Sequence, residues 1–417
     1  MTDKQLSERE IKALQIAAKH KLTRKGNVWL VPSQAGQGEY EVRPDPQAPR
    51  CTCPDYEFRN ARCKHIVAVE YVMMRETTAD GRTIVTETVK VTRKTYSQDW
   101  KAYNTAQTHE KSELQALLYE LCRNVPEPEK RKGRGRPQLS LSDMIFSSTY
   151  KVYSTVSGRR FSTDLREAKA RGYLSRLPHY NSVFRYLESE ALTPYLKELI
   201  SLSAKPLQSV ESDFAVDSSG FSTGQFMRWF DVKYGEKEDR RMWLKLHLIC
   251  GVKTNIVTSV QVTDGYANDY HYMKPLVSDT AQSGFKMKEV SADKAYLGAE
   301  NMLTTLRHGA IPYIPFKSNS VEHSRGSYGP KSELWTRMFH FYSLHRAEFL
   351  QHYHKRSNIE TTFHMIKSKF GQRLRSKSLI AQINEALCKV LCHNLCVVIQ
   401  SVHELGIETS FATETAA

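Results

Sequence analysis

Two sets of residues in this chain have the types and spacing to do chemistry. The first is Cys51, Cys53, Cys63 and His65, spaced C-x-C-x9-C-x-H. Two pairs of soft N/S ligands separated by a short loop suit a closed tetrahedral structural zinc site. Where thiols stay reduced, such a cluster binds metal rather than forming disulfides; the bland alternative is three buried cysteines beside a chance histidine. The second set is acidic. Asp217 closes the apolar run Asp213-Phe214-Ala215-Val216, and Asp293 closes Glu289-Val290-Ser291-Ala292. Glu360 sits within Tyr353-x2-Arg356-x3-Glu360-x6-Lys367. On one helix those four positions fall at about 0°, 300°, 340° and 320°, a stripe about 60° wide that presents a phenol, a guanidinium, a carboxylate and an ammonium. Phosphodiester cleavage suits such a set. Two divalent cations about 3.5–4 Å apart serve both oxygens of an in-line displacement, and hard Mg²⁺ or Mn²⁺ takes carboxylate oxygen. Clustered carboxylates repel one another until a cation neutralises them. Arg356 and Lys367 can hold backbone phosphates, and Tyr353 can stack or hydrogen-bond there. Two other readings stand beside this one: a capping box at Ser357-Asn358-Ile359-Glu360, with Tyr353 and Arg356 ahead of the helix, and structural salt bridging.

These side chains need elements to position them. Val28–Val31 and Tyr40–Val42 read as a hairpin around Gly36 and Gly38, and the apolar run after His65 begins a helix, a ββα unit whose small core leaves much of its folding energy to the metal. Residues 76–100 read as a linker or weak strands, and helical pattern returns at Glu113–Leu118. The segment 130–137 carries five basic residues in eight and cannot pack into a core. It reads as a flexible linker or as a nucleic-acid contact, with Arg134 and Arg136 of Arg134-Gly135-Arg136-Pro137 resembling an AT-hook in a narrow minor groove. From Leu139 three short helices follow. The first is capped at Ser140 and ended by Gly158-Arg159-Arg160, the second is capped at Ser162 or Thr163, and the third carries Val183, Phe184 and Leu187. They read equally as a helix-turn-helix DNA reader or as an all-helical connector. Beyond them, strands at 213–217, 242–250 and 256–262 precede a helix over 269–277, a strand at 288–293, a helix over 298–308 and a strand at 310–315. This is a mixed α/β sheet with flanking helices. Cys388, Cys392 and Cys396 recur every four residues among leucines, the buried face of a C-terminal helix, with His393 off that stripe.

The chain has 417 residues, 40% hydrophobic and 25% charged, which excludes a wholly disordered, collagen-like or disulfide-scaffold protein. Its net charge of +15 is uneven: residues 1–205 carry 35 basic and 24 acidic side chains. Polyanion binding is therefore expected early in the chain. With no signal-peptide pattern and no apolar run near the roughly 18 residues of a membrane helix, a soluble cytoplasmic, nucleoid-associated protein without a membrane partner is expected.

Two resemblances add to this reading. Residues 26–75 resemble a SWIM-type zinc finger, which implies a zinc-held module for DNA or protein. Residues 135–405 resemble a DDE transposase of bacterial insertion sequences, in the branch marked by Y-x2-R-x3-E-x6-K. They match at Tyr353, Arg356, Glu360 and Lys367, around Ala215-Val216-Asp217-Ser218-Ser219-Gly220-Phe221, at Ala292-Asp293-Lys294-Ala295-Tyr296 and at Ile314-Pro315-Phe316-Lys317. The resemblance implies an RNase H-like fold with Asp217 on the first strand, Asp293 after the fourth and Glu360 on a following helix, together holding two Mg²⁺ or Mn²⁺. It implies hydrolysis at element ends and joining of the freed 3′ hydroxyls to target DNA by DNA-bound multimers, often dimers. The spacing of Asp293 and Glu360 leaves only a short insertion, at 318–345, where Trp335 either stacks on a flipped base or, as is expected, packs in the core. The implied organisation is an N-terminal helix and zinc finger (1–75), a linker with a helix and the basic segment (76–138), a helical, DNA-binding segment (139–205) and a catalytic domain (206–410). An inert DNA-binding protein derived from a transposase, or a metal-dependent nuclease of the same fold, are the alternatives.

Overall fold

A computed structural model describes residues 8–20, 22–34, 38–45, 47–59, 61–77, 99–127, 139–223, 243–322, 329–409 and 411. They fall into two units, Met1–Ser97 and Gln98–Ala417. Arg134 and Arg136 lie outside the described residues.

In the first unit, β2 (Val28–Pro32) and β3 (Glu39–Arg43) form the expected hairpin. Their alternation buries Trp29, Val31 and Val42 on one face, as period-2 patterning requires. Two short strands extend it, β1 (Thr23–Lys25) and β4 (Arg50–Cys51), giving the order β1-β2-β3-β4. Helices α1 (Glu8–Lys19), α2 (Pro54–Arg59) and α3 (Lys64–Thr77) complete the unit. Ala13 and Ile16 of α1 join Ile66 and Val69 of α3 and the three cysteines in one small core.

The second unit is built on a five-stranded sheet of β5 (Asp213–Ser222), β6 (Trp243–Gly251), β7 (Val257–Asp264), β8 (Glu289–Ala292) and β9 (Ile311–Tyr313). Its order is β7-β6-β5-β8-β9. The first three strands form an antiparallel meander, and β8 and β9 pair parallel to β5, an RNase H-like mixed sheet. Asn255 turns β6 into β7 at φ 66°, a left-handed conformation that asparagine tolerates better than most residues.

Helices cover both faces. Phe214, Val216, Ile249 and Val290 pack with Leu276 and Val277 of α9 (Met273–Gln282) and Met302 of α10 (Ala299–Arg307). Ala215, Phe221, Leu246 and Leu248 face the opposite way. On that side the core is filled by α4 (Trp100–Arg123), α5 (Leu141–Ser154), α6 (Gly158–Ala170), α7 (Tyr180–Leu187) and α8 (Leu192–Ala204). The helices between 100 and 204 thus share one core with the sheet. Ser140 caps α5 through the Asp143 N–H at 3.1 Å. Gly158 opens α6 rather than ending its predecessor, because Ser157 supplies the cap, and residues 269–272 form a 3₁₀ turn ahead of α9.

After β9 come α11 (Pro330–Leu344), α12 (Arg346–Tyr353), α13 (Ser357–Phe370) and α14 (Leu379–Leu405). Helix α11 occupies the insertion between the second and third acids. There Trp335 packs edge-on against Phe316 at 4.9 Å and donates to the Val321 carbonyl, a core role. By length and composition α14 is apolar enough to cross a membrane, contrary to the expectation that no run reaches that length, but 78% of its most apolar window is buried inside the protein. His393, placed off the buried stripe by the sequence, is itself buried and bonds the Asn255 carbonyl at 2.9 Å.

Candidate active site and zinc centre

Sheet register brings the first two acids together. Asp213 pairs with Glu289 and Val216 with Ala292 in the parallel β5–β8 ladder. One residue further along come Asp217, still on β5, and Asp293, just past the end of β8, close enough that the Asp293 charge acts on Asp217. Strand β5 does not end at Asp217, as the sequence suggested, but runs on to Ser222 alongside β6. Asp293 leaves β8 and caps a 3₁₀ turn at Lys294–Tyr296.

The third acid arrives from above. Because Val216 points into the α9 side, Asp217 points to the α13 side, where Ile359, Phe363 and Ile366 anchor α13 on the sheet. The four signature positions do not lie on one unbroken α-helix. Tyr353 ends α12, a 3₁₀ turn spans His354–Arg356, and α13 starts at Ser357 with no side-chain cap. The path stays helical through the turn, so Arg356 still faces the sheet. Its Nη1 lies 2.5 Å from Asp217 Oδ2 and its Nη2 2.7 Å from Glu360 Oε1. Lys367 Nζ donates to Ser219 Oγ at 2.6 Å and stands over the Phe221 ring at 5.2 Å.

Burial pushes the Asp217 carboxyl above its usual range, and Asp293 adds to the rise, against the Ser218 N–H and Arg356. Burial also raises the Tyr353 phenol and lowers the Lys367 ammonium. Burial alone would lower the Arg356 guanidinium, but Asp217 and Glu360 hold it up. An all-oxygen donor set on a strand, just past a strand end and on a helix fits a hard divalent cation. Glu360 is the exposed member, with 62% of its side chain open to solvent. Arg356 now stands between two of the acids, and among the described residues the group that closes to metal-ligand spacing is the Cys/His set alone.

Behind this site lies a charge network that the sequence did not reveal. Lys355 Nζ reaches Asp213 Oδ2 and Glu289 Oε2, both at 2.7 Å, and His352 Nδ1 meets Glu289 Oε1 at 2.9 Å while stacking on Tyr313. It fixes the 3₁₀ turn to the starts of the two acid-bearing strands. The basic run His354-Lys355-Arg356 is its trace in the sequence, but nothing local to that run marks the acids that answer it.

In the first unit, ligand atoms of Cys51, Cys53, Cys63 and His65 lie within 4.8 Å of one another, all buried. His65 Nδ1 is 3.9 Å from both Cys51 Sγ and Cys63 Sγ. Ligands around a tetrahedral zinc with bonds of about 2.0–2.3 Å stand about 3.5–3.8 Å apart, so the set needs little adjustment. His65 Nε2 is buried without a hydrogen-bond partner among the described residues, so Nδ1 is the nitrogen turned toward the sulfurs. Contact with Cys51 draws the Cys63 thiol down, and the same contact pushes Cys51 up. Crowded thiols sharing negative charge are what a soft cation relieves.

An RNase H-like sheet that converges two strand-borne carboxylates and a helix-borne one defines a class of nucleases and polynucleotidyl transferases. Within it, residues 208–395 match the family described as Transposase DDE domain, and residues 40–73 match the SWIM zinc finger. The chain therefore carries a transposase DDE domain behind a SWIM zinc finger with a Cys₃His centre. Among solved structures it is similar to piggyBac transposase, in a cryo-EM structure of its synaptic complex with hairpin DNA. The two share 11% identity over 75% of this chain and 77% of that one, with a TM-score of 0.35, and nothing in the site rests on that likeness.

Proposed function

We propose that this protein cleaves the ends of a mobile DNA element and joins the freed 3′ hydroxyls to target DNA, with Asp217, Asp293 and Glu360 holding two Mg²⁺ or Mn²⁺. The observation that carries this reading is the convergence of Asp217 with Asp293 through strand register and with Glu360 through Arg356. Divalent ions there would activate the attacking oxygen and stabilise the leaving one. The chain's own residues do the rest. Sharing a cation between Asp217 and Glu360 requires the Arg356 guanidinium to leave them, and once free it takes a backbone phosphate, which its planar fork suits. Lys367 holds a second phosphate as a point charge, and Tyr353, beside Arg356, packs against the strand. The basic segment with Arg134 and Arg136 supplies non-specific affinity for DNA, and the protein works as a homo-oligomer on paired ends. The insertion-sequence branch rests on the Y-x2-R-x3-E-x6-K signature.

The test uses a plasmid carrying the DNA that flanks the gene. Asp217→Asn, Asp293→Asn and Glu360→Gln are each expected to abolish Mg²⁺-dependent cutting and strand transfer while DNA binding persists. Strand transfer retained by any of the three removes that residue from the site. Cut ends that are never rejoined to a target would point instead to a nuclease of the same fold.

A further inference from the structure

Strand β5 carries a second feature three residues beyond Asp217. A cleft of about 250 Å³ opens there, lined by Ser218, Ser219 and Gly220 and by Trp243, Lys245, Gly265 and Tyr266. Strand alternation turns Gly220 and its cross-strand partner Lys245 away from the α13 side that Asp217 faces. At about 3.3 Å per residue the cleft lies about 10 Å along the strand from Asp217, a reach of only a few nucleotides.

Two features make it a site rather than a surface dip. The first is aromatic. Trp243 is 45% exposed and Tyr266 98% exposed. The indole rests on Gly220, where a Cβ would stand 3.0 Å from its ring, and Gly265 leaves room for the Trp243 backbone, whose carbonyl a Cβ there would meet at 3.1 Å. Tyr266 is presented by a turn in which the Asp264 carboxylate accepts its N–H at 2.8 Å. The second feature is charge. Lys245 Nζ spends one donor on Asp269 at 2.8 Å and one on the Ala267 carbonyl at 3.2 Å, which leaves a third among the described residues. Lys367 reaches Ser219 from the opposite face, and among the described residues no carboxylate pairs with it. Two exposed rings beside the Lys245 ammonium, which keeps one donor unspent among the described residues, complement a flat base with a phosphate attached.

We propose that this cleft takes one unpaired nucleotide of single-stranded DNA, with its base stacked on Trp243 and covered by Tyr266, and its phosphate held by Lys245 and the Ser218 hydroxyl. The proposal rests on reading the chain as a DNA-acting protein. It adds a grip on strand that has left the duplex, next to the acids that act on it. Base–aromatic stacking tolerates any sequence, because every base has a π-face.

The experiment uses the full chain and a short oligo(dT) strand bearing one 5-iodouracil. Ultraviolet crosslinks are expected to map to Trp243 or Tyr266. Trp243→Ala and Tyr266→Ala are each expected to lower single-strand affinity about tenfold and to leave duplex affinity unchanged. Tyr266 is almost wholly exposed, so its variant folds even if the Trp243 variant does not. Absence of both crosslinks, or a Tyr266→Ala protein that binds oligo(dT) like the parent, overturns the proposal. So does full competition by free thymidine monophosphate at concentrations matching the oligonucleotide's nucleotides, which would mark a site for the free nucleotide. A chain that binds neither single-stranded nor duplex DNA fails the broader reading as well. Mg²⁺-dependent cutting that persists without crosslinks would sink the pocket alone.

Discussion

Arg356 and Asp217, 139 residues apart in the chain, meet at 2.5 Å. The same guanidinium holds Glu360, so one side chain ties the first sheet strand to α13 at the candidate active site. A metal ion and the guanidinium compete for these same carboxylate oxygens. Arg356→Gln is therefore expected to tighten Mn²⁺ binding, followed by electron paramagnetic resonance, while cutting falls because a phosphate contact is lost. Unchanged Mn²⁺ affinity would show that the guanidinium does not compete with metal.

Removal of zinc should act on the first unit alone. Cys51→Ser or His65→Ala is expected to release the metal and melt residues 26–75, because binding there supplies on the order of 10 kcal/mol of folding energy. Elemental analysis and circular dichroism report the two effects, and the melting transition of residues 98–417 should not shift. Undiminished zinc content in either variant refutes the ligand assignment.

Acid should loosen the second unit through two buried histidines. Burial holds His247 and His393 down to about 4 in the folded chain, against about 6.5 when unfolded. Between those values the unfolded chain binds more protons. The stabilisation is then complete above about pH 6.5 and is lost as pH falls toward 4, up to about 3 kcal/mol for each group. Urea midpoints measured across that window should flatten in His393→Gln. An equally steep profile in the variant would remove His393 as a source.

Lys389 should prove costly to replace. It is 1% exposed, and its ammonium donates to the carbonyls of Gly371 and Arg373 at 2.8 and 2.7 Å, with Glu385 at 3.6 Å. Lys389→Met takes the donor from both carbonyls and the cation from Glu385, which keeps the Arg375 and Ser376 N–H groups, a loss of about 3–5 kcal/mol. Chemical denaturation measures it, and a change below about 1 kcal/mol would mean that water enters the gap.

What could be read in the sequence follows from how local each signal is. Asp217, Asp293 and the Arg356–Glu360 pair were visible because apolar strand runs and helix spacing are short-range patterns. The Cys/His cluster was visible because its ligands fall within fifteen residues of one another. Lys355 was not, since its carboxylates lie at the starts of β5 and β8 and only the parallel register unites them. The α-helical stripe was drawn too straight because nothing in His354-Lys355-Arg356 marks a 3₁₀ turn. The long helix from Trp100 was seen only at its apolar C-terminal half, since its polar first half is held by the Asp99 cap. Trp243 and Tyr266 carry no periodic signal and needed the sheet to bring them together.

Helix α14 is the last element among the described residues, yet it contributes Leu387 and Leu391 to the core on one side of the sheet and Val397 and Val398 to the core on the other. Contacts this distant in sequence close slowly. During synthesis, everything from α4 onward must wait for this segment to leave the ribosome before either core can seal. A transcript interrupted anywhere upstream of α14 would yield a polypeptide without a closed interior, fit only for proteolysis.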